Sequence, residues 1–225
     1  MAPSLTPSEY TARQAALLEL STLAMPSHLP LGLWVLPSPS NPLLLNCTLF
    51  VHRGYYANSV LPFTIALPTT YPHALPAVTF ARPVPFHPLV DPHTGRLNLD
   101  PRWTSWEQGR DFLWMLLHWI KGTFKRRALD EVAKADAANA EAFRLYRGNT
   151  ALFAKLAGQA AELSASDAIL YGGKGREPDA VGEGGIAFRK LDRAEEEAEL
   201  QRIHGLLEVE VRSRLVKRKP DTVSK

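Results

Sequence analysis

A chain of 225 residues, 45% hydrophobic and 22% charged, has the balance of an ordinary globular protein, with room for one substantial domain and an accessory segment. Its net charge of +3 is too small to imply a nucleic-acid partner. A single cysteine, Cys47, excludes an internal disulfide framework and suits a reducing compartment.

Neither a signal peptide nor a membrane span is legible. The opening stretch MAPSLTPSEY lacks a basic start and an apolar core. The most apolar helical run, FLWMLLHWI, is far too short to cross a bilayer. A cytoplasmic protein is therefore expected. Composition then shifts near residue 124: sixteen of the 18 prolines and all five tryptophans precede it, whereas 36 of the 49 charged side chains follow it. Proline lacks an amide donor and clashes with the preceding turn, so it is excluded from helix interiors and central strands. The first half is predicted as loops and short strands on an aromatic core, the second as solvated helices.

In chain order, TPSEYTARQAALLELSTLAM predicts a helix to about Leu23, because Thr6 and Glu9 have capping-box spacing and Pro7 takes the first helical position. LGLWVLP, PLLLNCTLFVHR and SVLPFTIALP are apolar and β-branched runs parted by turn residues, and AVTFARP is a shorter fourth; together they read as an antiparallel four-stranded meander. Residues 86–103, FHPLVDPHTGRLNLDPRW, follow as a loop dense in histidine, aspartate and proline. Ser105 and Gln108 offer a second capping box ahead of a helix in RDFLWMLLHWIKGTF, where Phe112, Met115, Leu116, Trp119 and Ile120 recur at helical spacing. Two more helices, near 128–147 and 149–163, complete an α+β domain over residues 6–163.

Residues 164–188, including DAILYGGKGREPDAVGEGG, read as a Gly- and charge-rich linker. Residues 189–217 predict an accessory amphipathic helix, with Leu191, Ala194, Ala198, Ile203 and Leu207 as a narrow apolar stripe. Such a stripe needs either the parent domain or a partner to hold it helical, and both stay open. A basic tail, 218–225, is either solvated or in contact with acidic lipid.

The loop at 86–103 invites a test for chemistry. His87, Asp91 and His93 are metal-ligand types, yet they sit on a proline-broken loop without fixed geometry or a fourth ligand, so no metal is expected. No serine stands in a nucleophile-elbow context. Cys47 lies mid-strand in LLNCTLF, where an inert buried thiol is the usual outcome.

The order of LPTTYPHALPAVTF, FHPLVDPHTGRLNLD, a tryptophan and an amphipathic helix resembles the ubiquitin-conjugating enzyme fold. Tyr71, Pro72, Pro76, Val78 and Phe80 match the family's Y-P-x-x-x-P-x-V-x-F motif. His87 and Pro88 match its H-P-N tripeptide, with Leu89 in the asparagine's place. Gly95, Leu97, Leu99 and Asp100 match the segment around the catalytic cysteine, with Asn98 where the cysteine belongs. Trp103 or Trp106 takes the place of the downstream tryptophan. The resemblance implies a degenerate site at His87, Pro88, Leu89 and Asn98. An amide has no nucleophilic pair comparable to a thiolate, and leucine offers no donor to an oxyanion. A pseudo-enzyme with no cofactor is implied.

The run FVHRGYYANSVLPFTIALP, through Arg53, Gly54, Tyr56, Ala57, Val60, Phe63, Thr64 and Ile65, is similar to the Fused Toes, or AKT-interacting protein, family; so is FHPLVDPHTGRL, through Phe86–Pro92, Thr94, Gly95 and Leu97. Leu89 is expected for that family. The resemblance implies an adaptor that joins a Hook-type coiled-coil protein and an FHIP-type subunit, linking endosomal or vesicle cargo to dynein-based transport on microtubules. Leu191, Ile203, Leu206 and Leu207 are the expected partner contacts, unless they pack back on residues 128–163. The rival reading is a ubiquitin-binding variant, or a non-catalytic cofactor of an active conjugating enzyme.

Overall fold

A computed structural model describes residues 6–25, 27–171 and 188–217, the last with side chains to position 205. The chain divides into two compact units, Met1–Ala187 and Phe188–Lys225. In the first, helix α1 (Pro7–Thr22) precedes strands β1 (Leu33–Pro37), β2 (Leu44–Val51), β3 (Ser59–Ala66) and β4 (Ala77–Phe80). Helices α2 (Leu113–Thr123), α3 (Arg126–Glu131), α4 (Ala140–Gly148), α5 (Thr150–Ser164) and α6 (Asp167–Tyr171) follow, with a 3₁₀ turn at Lys134–Asp136. The second unit contributes α7 (Arg193–Lys217).

The α+β meander expected from the sequence is present: the strands pair antiparallel in the order β1-β2-β3-β4. Register decides which side chains face the core. Val35, Cys47, Phe63 and Phe80 form one row across the sheet, and Leu45, Ile65 and Val78 another. These rows share one buried core with Leu113, Leu116, Leu117 and Ile120 of α2, each at most 1% exposed. Burying each such side chain stabilises the fold by about 1.5–3 kcal/mol. The Thr6–Glu9 capping box opens α1, with both reciprocal bonds formed. Ala12 and Ala16 are the fully buried residues of that helix, so α1 meets the core through small side chains.

The accessory helix expected from residue 189 begins only at Arg193, and within the first unit three stretches depart from the sequence reading. Helix α2 begins at Leu113 without a side-chain cap of its own, and Ser105 and Gln108 cap nothing. Residues 103–111 instead form a turn that buries two tryptophans. The Trp103 indole donates to Asp111 Oδ1 at 2.9 Å, while Asp111 Oδ2 accepts the Glu107 amide at 2.9 Å. Satisfying a buried indole and carboxylate together outweighs one more helical turn.

The helix expected near 128–147 is broken. Val132, Ala133 and Ala137 are extended. Asn139 then caps α4, its side chain accepting the Ala142 amide at 3.0 Å. Arg147 donates to the carbonyls of Asp130 and Val132, so the interruption leaves those groups paired. Finally, Asp167–Tyr171, at the start of the expected linker, is helical. The remainder of the linker, 172–187, and the basic tail, 218–225, lie outside the described residues. No helix among the described residues is long and apolar enough to cross a membrane.

Candidate functional site

The loop of residues 86–100 is held from three sides. Beneath it, Phe80 donates its amide to the Gly95 carbonyl and Leu97 donates to Val78, each at 2.9 Å, which stitches the loop to β4. Within it, Asn98 donates to the Leu89 carbonyl at 2.8 Å, so the His87–Leu89 tripeptide and Asn98 sit side by side. From the helical half, Asn139 donates its amide to the Pro88 carbonyl at 2.9 Å.

His87 is fully buried between aromatic rings, 4.9 Å from Phe124 and 5.6 Å from Tyr56 by ring centroids. Its Nδ1 accepts the Leu89 amide at 3.0 Å, so Nε2 carries the proton and donates to the Thr123 carbonyl at 3.1 Å. Burial drives its pKa down to about 4, only partly opposed by the bond to Thr123. A neutral, doubly bonded imidazole shapes the turn; it has no lone pair left for proton transfer.

Leu89 is 3% exposed and belongs to the core, so the third position of the tripeptide anchors the loop by burial. Asn98 is half-buried with both ends of its amide engaged. Nδ2 donates to the Asp136 carbonyl at 2.9 Å, and Oδ1 accepts the Asp100 amide at 3.0 Å. Where the family motif places a nucleophile, this chain has a strut between the loop and the 3₁₀ turn. A cleft of about 320 Å³ opens beside it, lined by Leu75, Pro76, Arg96, Asn98, Asp100 and Ala138 among others.

The remaining polar residues of the loop are occupied with turn geometry. Asp91 Oδ1 accepts the amides of His93 and Thr94, which with the Thr94 side chain holds the Asp91 carboxyl below its ordinary range. Gly95 at φ +74° closes this turn, and a Cβ there would lie 2.2 Å from the Phe80 carbonyl oxygen. Among the described residues no three His, Cys, Asp or Glu side chains cluster as metal ligands. Cys47 faces the core from β2, 3% exposed, and burial pushes its thiol well above the ordinary range.

The comparisons with known proteins match this geometry. The family model for ubiquitin-conjugating enzymes matches residues 19–161. The chain belongs to the ubiquitin-conjugating enzyme family. It is 34% identical over 124 residues to the protein crossbronx homolog of Anopheles gambiae, covering 54% of each chain. It is 34% identical over 139 residues to AKT-interacting protein homolog B of Xenopus laevis, and 33% identical over 139 residues to AKT-interacting protein of Homo sapiens. Those last matches cover 61% of this chain and 45% of each relative. The chain thus spans about half the length of the curated relatives it matches. This agrees with the Fused Toes resemblance read from residues 53–65 and 86–97.

Sequence reasoning placed His87, Pro88, Leu89 and Asn98 in one loop, and the structure brings all four together. It missed Asn139 and the Asp136 carbonyl, which arrive from the broken helical region. Asn139 ahead of AEAF is a helix-capping signal that could have exposed the break. Of the tail residues, Leu191 and Ile203 are 41% and 42% exposed. The side chains of Leu206 and Leu207 lie outside those described.

Proposed function

We infer that this chain is a non-catalytic member of the ubiquitin-conjugating enzyme family, serving as an adaptor subunit. The carrying observation is Asn98: an amide stands at the cysteine's place and spends both its polar atoms on Asp136 and Asp100. Cys47, buried in the core, offers no substitute nucleophile. A fold without thioester chemistry retains its surfaces, and the name borne by the AKT-interacting relatives is that of a binding protein.

The partners inferred are a Hook-type coiled-coil protein and an FHIP-type subunit, in a complex that links endosomal or vesicle cargo to dynein and its activator dynactin on microtubules. The protein works in the cytoplasm at the vesicle surface, held there through its partners. Exposed Leu191, just ahead of α7, and exposed Ile203 within it, with Leu206 and Leu207 on the next turn, are the contacts assigned to the tail. Ordering such a narrow-striped helix on a partner lends specificity while reducing net affinity.

Affinity purification of the tagged chain from its own cells, with mass spectrometry of what is retained, tests this reading. Recovery of a Hook-type protein with an FHIP-type subunit, lost in Leu191→Glu/Ile203→Glu, supports it. Recovery of ubiquitin or an active conjugating enzyme in their place would assign the chain to the ubiquitin-binding variants. A parallel charging reaction with activating enzyme, ubiquitin and ATP is expected to yield no reducible band; one that disappears in Cys47→Ser would overturn the non-catalytic assignment.

A further inference from the structure

Away from the degenerate loop, the far end of β2 and the end of α2 enclose a second cavity, of about 240 Å³. Leu49, Val51 and Phe124 make its apolar side, and Arg53, Lys121 and Lys125 line its basic side. No carboxylate lines it, and among the described residues none of these three cations pairs with an acid. Elsewhere on the surface some exposed arginines find acids, Arg110 pairing with Glu107, Arg127 with Glu131 and Arg202 with Glu199, while Arg82, Arg96 and Arg126 stand singly rather than gathered around one cavity. Lys121 is half-buried and spends a hydrogen bond on the Leu31 carbonyl. Its pKa is pulled down by burial and then by the neighbouring Lys125, with no acid to offset either. Like charges gathered around one cavity repel, and an anion that joins them relieves that repulsion.

We propose that this cavity is the docking site for an acidic peptide segment of a partner protein, one that carries a single apolar side chain between carboxylates. Charge complementarity selects the anion: Arg53 and Lys125 are exposed at the rim, where opposite charge steers encounter and fixes register. The apolar side selects the peptide. A wholly polar phosphorylated headgroup would answer the cations and leave half-buried Val51, over the buried floor of Leu49 and Phe124, facing polar atoms; an apolar residue flanked by glutamates answers both. The proposal rests on the adaptor reading only in requiring a protein partner.

Titration of the full chain with a fluorescein-labelled probe, polyglutamate around a central phenylalanine, tests it. Saturable binding is expected, weakened about tenfold by Arg53→Glu or by Lys125→Glu and steeply by added salt. Replacing the probe's phenylalanine by alanine should weaken it by a further several-fold, roughly the worth of one buried side chain. Lys155→Glu, the same charge change on exposed α5 outside the cavity, should leave binding unchanged. Equal loss in Lys155→Glu, indifference to the phenylalanine, absence of saturable binding, or binding only to vesicles that contain phosphorylated phosphatidylinositol would each overturn the proposal. Recovery of a Hook-type protein alongside a failed titration would overturn this cavity alone and leave the adaptor reading standing.

Discussion

Glu19 of α1 accepts the amide of Leu113, the first residue of α2 and 94 positions away, at 2.6 Å. Its other carboxylate oxygen takes the hydroxyl of Tyr71, the opening residue of the Y-P motif. One side chain on the first helix therefore supplies the cap that α2 lacks locally and fastens the loop ahead of β4. Burial raises the Glu19 pKa, while both bonds act to lower it. Glu19→Ala strands a phenol and a helix-end amide and should cost about 2–4 kcal/mol. Glu19→Gln, with one acceptor in place of two, should cost roughly half that. Urea denaturation monitored by tryptophan fluorescence reads both, and equal stability in all three chains would show that the bridge contributes nothing.

Gly95 is the turning point of the loop of residues 86–100. At φ +74°, with the Phe80 carbonyl oxygen where a Cβ would sit, alanine is opposed twice over. Gly95→Ala should destabilise by about 2–4 kcal/mol, more than left-handed strain alone. The Leu97 and Phe80 amides should lose protection from hydrogen exchange together, since both bonds hang on this turn.

The buried His87 makes stability depend on acid. Its folded pKa lies near 4, below the ordinary 6.5, so the unfolded chain takes up a proton first as pH falls. Its contribution is complete above about pH 6.5 and declines toward pH 4, reaching a loss of about 2 kcal/mol near pH 5. Nitrogen chemical shifts of the imidazole should report the Nε2–H tautomer throughout that range. A titration midpoint near 6.5 in the folded protein would remove the basis for the prediction.

Cys47 should behave as core. Its thiol is buried against the helices and its pKa is raised by desolvation, so iodoacetamide at about pH 8 should leave the native protein unmodified and alkylate it readily in urea. Rapid native alkylation would show an accessible thiolate and reopen the question of a nucleophile.

How far this protein could be read from its chain depended on the range of each interaction. The capping box at Thr6 and Glu9 and the alternation that puts Val35, Cys47, Phe63 and Phe80 on one face are local patterns, and they set the first helix and the meander. The motifs around Tyr71, His87 and Gly95 likewise carried the family, because turn chemistry and close packing leave few residue choices there. Leu89 and Asn98 marked the departure from the family's motif by identity alone. What Asn98 does instead, joining Asp100 to Asp136, required the chain to return across 38 residues. The start of α2 and the break after Glu131 followed the same rule. Ser105 and Asp111 competed for the loop, and burial of Trp103 and Trp106 decided it. Local propensity proposes a helix; a distant carboxylate, amide or indole that must be satisfied in the core settles where that helix begins and ends.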